Sequence, residues 1–87
     1  MDFEFDPHKS ESNKDKHKIN FEDAQGLWED SRGCEFRVEV KGEIRIVLIA
    51  KHRQRHWTAV YTLRGSKIRL ISVRRARVKE IALYDNR

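Results

Sequence analysis

The segment 57–75, WTAVYTLRGSKIRLISVRR, restricts the possible folds more than any other part of the chain. It reads as two β-strands joined at Gly65-Ser66, because both arms are rich in the β-branched and aromatic residues that suit a pleated, half-buried surface. A glycine at the first central position permits a two-residue II′ turn, and that turn sets the register. Arg64 then faces Lys67, Thr62 faces Arg69, Val60 faces Ile71, Thr58 faces Val73 and His56 faces Arg75. Directly opposed residues share a sheet face. The other face pairs Leu63 with Ile68, Tyr61 with Leu70, Ala59 with Ser72 and Trp57 with Arg74, and is almost wholly core-like. The first face is basic and open around a small aliphatic centre, which makes it the candidate functional surface.

The flanking segments extend this frame. In 44–52, Ile44, Ile46, Leu48 and Ala50 share one side of a strand, and Arg45, Val47, Ile49 and Lys51 the other. A two-residue turn within 53–55 keeps Lys51 on the face of His56, so the basic face gains Arg45 at one end and Lys51 at the other. Lys41-Gly42-Glu43 reads as a turn after 34–41, a strand or extended loop. Phe3-Glu4-Phe5 suits a short strand. Asp6 and Pro7 form a helix start, N-cap then first helical residue, for 7–17. That helix has a polar, small-residue face and is weak without tertiary support. Asn20 caps a second helix whose Phe21, Ala24, Leu27 and Trp28 recur at helical spacing. It is expected to be scaffold, with Leu27 and Trp28 buried. A last helix over 76–86 carries Val78, Ile81 and Ala82 as a packing stripe. The expected architecture is α+β: two N-terminal helices packed on a three- or four-stranded antiparallel sheet, plus a C-terminal helix, in one domain spanning 1–87.

Charge narrows the function classes. Residues 1–33 hold five Lys/Arg against nine Asp/Glu, a net −4, whereas 34–87 hold fourteen against five, a net +9. A basic half with interleaved aromatics points to a polyanion, nucleic acid first; the alternative is that the arginines merely solvate a small sheet. One cysteine, Cys34, allows no intrachain disulfide and suits a reducing compartment. No apolar run reaches the ~18 residues of a membrane span, and the acidic N-terminus lacks a signal-like apolar region. The chain reads as soluble and cytoplasmic, with no membrane partner.

Among candidate sites, four histidines fall in no metal-ligand spacing, so no metal and no cofactor are expected. His52 and His56 could form an acid–base pair, but residues flanking a turn are more often exposed. Arg64-Gly65-Ser66-Lys67 is better explained as a hairpin turn than as a phosphate loop. Arg45, Arg64, Arg69 and Arg75 share one phase, with Lys51, His56 and Lys67 beside them. Guanidinium forks bind phosphate bidentately and remain charged. No carboxylate shares that strand face, which leaves Arg64 without an intramolecular partner. Val47, Ile49, Val60 and Ile71 lie among these cations. They would be a liability unless a protein partner, or the C-terminal helix, covers them. Tyr84 could stack on a base or fill the core, and Lys16 and His17 suit the C-terminal end of the first helix.

The stretches FDPHKSESNKDKHKINFEDA, AVYTLRG and IRLISVRRARVKEIALY together resemble the BrnT toxins of bacterial type II toxin–antitoxin systems. Asp6, Lys9, Asn13, Lys16, His17, Phe21, Glu22 and Ala24 match the first part of the family pattern. Tyr61, Thr62, Arg64, Arg69, Ile71, Ser72, Arg74, Ala76, Glu80 and Tyr84 match the second. Lys18 departs from the glycine usual after Lys-His. The resemblance implies a RelE-like fold and a metal-independent endoribonuclease that arrests translation, with catalytic arginines at Arg64, Arg69 and Arg74. It also implies a BrnA-type ribbon-helix-helix antitoxin as partner, RNA as substrate, and operator DNA contacted only through that antitoxin. Motif and register differ at one point: the hairpin phase puts Arg75, not Arg74, on the open face. A non-catalytic nucleic-acid-binding module and a purely protein-binding subunit are the competing readings.

Overall fold

The computed structural model describes residues 1–87. Strand β1 (Asp2–Glu4) leads into helix α1 (Pro7–His17) and then α2 (Phe21–Ala24), which runs directly into a 3-10 turn over Gln25–Glu29. Strands β2 (Cys34–Val40), β3 (Glu43–His52), β4 (Arg55–Arg64) and β5 (Lys67–Arg75) follow, and helix α3 (Val78–Asp85) closes the chain. The sheet order is β1-β5-β4-β3-β2. All pairings are antiparallel except β1 with β5.

The class is α+β, but the expected two helices on a three- or four-stranded antiparallel sheet are not what forms. The sheet has five strands and is mixed. The first segment adds in parallel to the free edge of β5, with Glu4 opposite Arg69. The second N-terminal helix is a single α turn before the 3-10 segment. Gly26 lets this segment sit close against β3: a Cβ there would lie 2.2 Å from the His52 ring.

The three hairpin turns behave as local rules dictate. Gly65 takes φ 62 and Ser66 stays negative, as a II′ turn demands. Lys41-Gly42 and Arg53-Gln54 hold positive φ at both central positions, the I′ geometry whose twist matches paired strands. Lys51 accordingly opposes His56.

The main core lies between the sheet and the α1–α2 segment. Ile19, Phe21, Ala24 and Leu27 meet Leu48, Ala50, Trp57, Ala59, Tyr61, Ile68, Leu70 and Val73. Leu27 is fully enclosed. Trp28 is only half-buried, its ring edge-on to Phe3 at 5.1 Å and to Tyr61 at 5.3 Å.

Helix α1 has no apolar stripe and is held by polar bonds instead. Asp6 accepts the His8 N–H at 2.8 Å. Buried Ser10 accepts the Phe21 N–H at 2.9 Å. Buried Asn13 donates to the carbonyls of Ile19 and Val73, both at 2.8 Å, and accepts the Val73 N–H at 3.1 Å. Its amide thus acts as a one-residue strand on β5 beyond the end of β1, satisfying edge groups that would otherwise be costly to bury. Lys18 ends the helix at φ 68, in the left-handed region.

Candidate nucleic-acid interface

The phase of the basic face depends on one irregularity. Near the turn the pairs are as the sequence predicts: Arg64 with Lys67, Leu63 with Ile68, Thr62 with Arg69, Tyr61 with Leu70. Beyond Tyr61 a bulge places Ile71 as an extra residue, and the register slips by one. Val60 opposes Ser72, Ala59 opposes Val73, Thr58 opposes Arg74 and Trp57 opposes Arg75. The expected pairs Val60–Ile71, Thr58–Val73, His56–Arg75, Ala59–Ser72 and Trp57–Arg74 do not form. The slip carries Val73 into the core at 0% exposure. It turns Arg74 to the open face beside Thr58 and lays Arg75 against the Trp57 ring, 5.6 Å from its centroid. The adjacent apolar residues Leu70 and Ile71, which break strict alternation, are the trace of this in the sequence.

Beside the Gly65-Ser66 turn the strands bring Arg45, Thr62, Arg64, Arg69 and Ile71 around a shallow depression of about 480 Å³, with Lys9 of α1 on its rim. The expectation that no carboxylate reaches this face fails, because β1 joins the sheet here. Glu4 lies 2.9 Å from Arg69 Nη1 and 3.6 Å from Arg64 Nε. Two guanidiniums converge on one carboxylate, and Arg64 remains exposed. Arg45 lies 3.6 Å from Glu43. Lys67 stands exposed across from Arg64.

The depression continues along α1. An adjoining hollow shares Lys9 and Ile71 and adds Lys16, His17 and Ser72. A third shares Lys16 and His17 and adds Lys18, Arg55, Arg74 and Arg75. Nine lysines and arginines line the three together, and Glu43 is the only carboxylate lining them. The α1 contribution was missed from sequence. Lys9, Asn13 and Lys16 do recur at helical spacing, but nothing local says that this face looks along β5.

Arg74 is placed differently from its neighbours. Both its terminal nitrogens donate to Glu80 at 2.8 Å. Glu80 also accepts from Thr58 Oγ1 at 3.0 Å and from the Arg77 N–H at 2.8 Å. The Arg74 guanidinium, outweighing burial, holds the Glu80 carboxyl down at about 2. Arg74 is therefore the anchor of the first turn of α3.

That helix lies on the open face and covers its centre. Val47 and Ile49, read as contacts for a protein partner, are buried beneath Tyr84. The protein's own helix takes the place proposed for a partner there, because the aliphatic centre would otherwise face water. Val60 and Ile71 are half-buried. Tyr84 donates to Asp30 Oδ2 at 2.7 Å. Burial raises the Tyr84 phenol, and the Asp30 carboxylate raises it further. Asp30 itself is lowered: burial opposes this, but the N–H groups of Lys51 and Arg32 and the Tyr84 hydroxyl prevail. At this far end His56 packs edge-on against Tyr84 at 5.0 Å, with Nε2 3.8 Å from Asp85. Lys51 is exposed opposite it. Both are thus separated from the arginine depression by α3. His52 packs over Gly26 instead of joining His56. No three His, Cys, Asp or Glu side chains are grouped so as to hold a metal ion, and no helix is long and apolar enough to cross a membrane.

Residues 5–80 match the family described as the ribonuclease toxin, BrnT, of type II toxin-antitoxin systems. No curated protein matches the chain.

Proposed function

The chain belongs to the BrnT family of ribonuclease toxins of type II toxin–antitoxin systems, and on that premise we propose that RNA lies along the α1–β5 groove and is cut beside Arg64 and Arg69. A type II toxin has a protein antitoxin as its partner. We take that partner to be a BrnA-type ribbon-helix-helix protein, which alone contacts operator DNA, and the 1–87 unit to act as one toxin domain in the cytoplasm.

The observation that carries the reading is the convergence of Lys9, Arg45, Arg64 and Arg69 on one depression open to solvent. Arg64 and Arg69 stabilise the charge that builds on the phosphoryl oxygens as the ribose 2′-oxygen attacks phosphorus and the bond to the 5′-oxygen breaks. The hydroxyl proton passes to solvent water as the new bond forms, water supplies one to the departing 5′-oxygen, and a 2′,3′-cyclic phosphate remains. This route needs no metal. Lys9, Lys16 and Lys18 hold flanking phosphates, which makes binding salt-dependent. Arg74 supports the site by anchoring α3. Arg75, Lys67 and Arg45 sit where they can touch backbone phosphates, whereas Lys51 and His56 belong to the far end. Of the aliphatics first assigned to the antitoxin, Val60 and Ile71 stay available to it.

Cleavage of a short RNA by the purified chain tests this. Arg64→Ala and Arg69→Ala are each expected to lower the rate by about 10²–10³ with the fold intact. A 2′-deoxy substitution at the cut position should abolish cleavage, and a chelator should leave the rate unchanged. Full activity in both arginine variants would remove the site from this depression. Salt-dependent RNA binding without any cyclic-phosphate product would favour a non-catalytic binding module.

A further inference from the structure

The two edges of the sheet are finished differently. At the β5 edge, the three-residue β1 and the Asn13 amide occupy the free backbone groups. The β2 edge has no such cover: β2 pairs with β3 on one side only. Its residues alternate strictly in chemistry. Cys34, Phe36, Val38 and Val40 are apolar, and Glu35, Arg37, Glu39 and Lys41 alternate in sign. Phe36 and Val40 are exposed. Proteins usually blunt a free edge with like charges, proline, or a covering segment. Alternating signs do not repel a second strand of the same sequence.

We propose that β2 pairs antiparallel with β2 of a second copy of this chain, about a two-fold axis at Val38, joining the two sheets into one. Directly opposed residues on a two-fold have sequence numbers that add to a constant, so the register decides which charges meet. An axis at Arg37 would oppose Arg37 to itself and Glu35 to Glu39, all like charges. The axis at Val38 opposes Arg37 to Glu39 twice, brings Glu35 toward Lys41 at the turn, and sets Phe36 against Val40 on the other face. An axis at Phe36 gives only the Glu35–Arg37 contacts within the strand. Opposite charges and apolar pairs directly across two strands are stabilising and like charges are destabilising, which selects the Val38 register. Neither Arg37 nor Glu39 takes part in an ion pair within the chain, so both are free for this contact. Glu35 is partly engaged by the Tyr61 hydroxyl, leaving Arg37–Glu39 as the principal pair. The α1 and β5 walls of the groove lie toward the opposite edge of the sheet, while its Arg45 wall, on β3, is the register partner of Val38 at the axis.

Strand addition with few flanking contacts gives a modest interface, so the expected behaviour is a concentration-dependent monomer–dimer equilibrium. Light scattering on the purified chain across a dilution series should show a species of twice the chain mass at the high end. Arg37→Glu and Glu39→Arg place like charges across the axis twice each, and should each weaken the dimer about tenfold or more. Mixing these two variants restores opposite charges and should recover a heterodimer, and the double variant carrying both changes should recover a homodimer. Circular dichroism checks that each variant stays folded. A wild-type chain monomeric throughout, a dimer indifferent to the single changes, or a mixture that stays monomeric would each overturn the proposal. So would amide protection of 34–40 that appears only when antitoxin is bound, since the edge would then belong to that protein.

Discussion

Replacing Glu80 by Gln tests whether α3 is clamped to the sheet by the Arg74–Glu80 pair. The wild-type carboxylate takes two bonds from Arg74, one from Thr58 and one from the Arg77 N–H. An amide in its place keeps a single acceptor oxygen and turns its NH₂ toward a guanidinium nitrogen, so one bond to Arg74 and the charge attraction are lost. Holding the carboxyl at about 2 instead of its usual 4.5, at about 1.4 kcal/mol per pH unit, amounts to on the order of 3 kcal/mol. Because the pair keeps some contact with water, about 2 kcal/mol is the expected loss near neutral pH. The folded-state carboxyl is lowered, so its contribution is complete above pH 4.5 and disappears as the pH falls through about 2. Wild type and variant should therefore differ most near neutrality and converge in acid. Denaturant unfolding across that range measures the difference, and amide exchange at Ile81 and Asn86, whose N–H groups bond to Arg77 and Ala82 carbonyls, reports α3 itself. A difference that stays constant with pH, or none near neutrality, would refute the clamp.

Lys18→Gly should raise stability, by up to about 1 kcal/mol, because a left-handed lysine costs roughly 1–2 kcal/mol and glycine's unfolded freedom returns part of that; an unchanged or lower thermal midpoint would count against it. Asn13→Ala strands the Val73 N–H and C=O and the Ile19 carbonyl, so a loss of about 3 kcal/mol and fast exchange of the Val73 amide are expected. Gly26→Ala should cost about 1–3 kcal/mol through its clash with the His52 ring. In a His52→Ala background most of that cost should vanish, and an undiminished cost would place the strain elsewhere.

Much of this protein was legible in local pattern. Gly65-Ser66 set the hairpin register as far as Tyr61 and Leu70, the pairing of Lys51 with His56 followed from a two-residue turn, and Asp6-Pro7 marked the start of α1. The family resemblance also rested on sequence alone, since it depends on the order and spacing of motifs. What tertiary structure alone decided is where distant groups meet. A three-residue β1 has no partner until β5 exists, so neither the parallel pairing nor the reach of Glu4 to Arg64 and Arg69 could be read from the first residues. The bulge at Ile71 meets two needs at once, burying Val73 and presenting Arg74 to Glu80 on a helix that comes later in the chain. It reassigned Arg74 and Arg75 to opposite faces. Likewise, Val47 and Ile49 have the pattern of a surface awaiting a partner, and only the docking of Tyr84 shows that the chain supplies its own cover. Turn geometry and side-chain alternation act over two to four residues and are written in sequence. The charge environment of a guanidinium depends on whichever carboxylate the folded chain brings within a few ångströms.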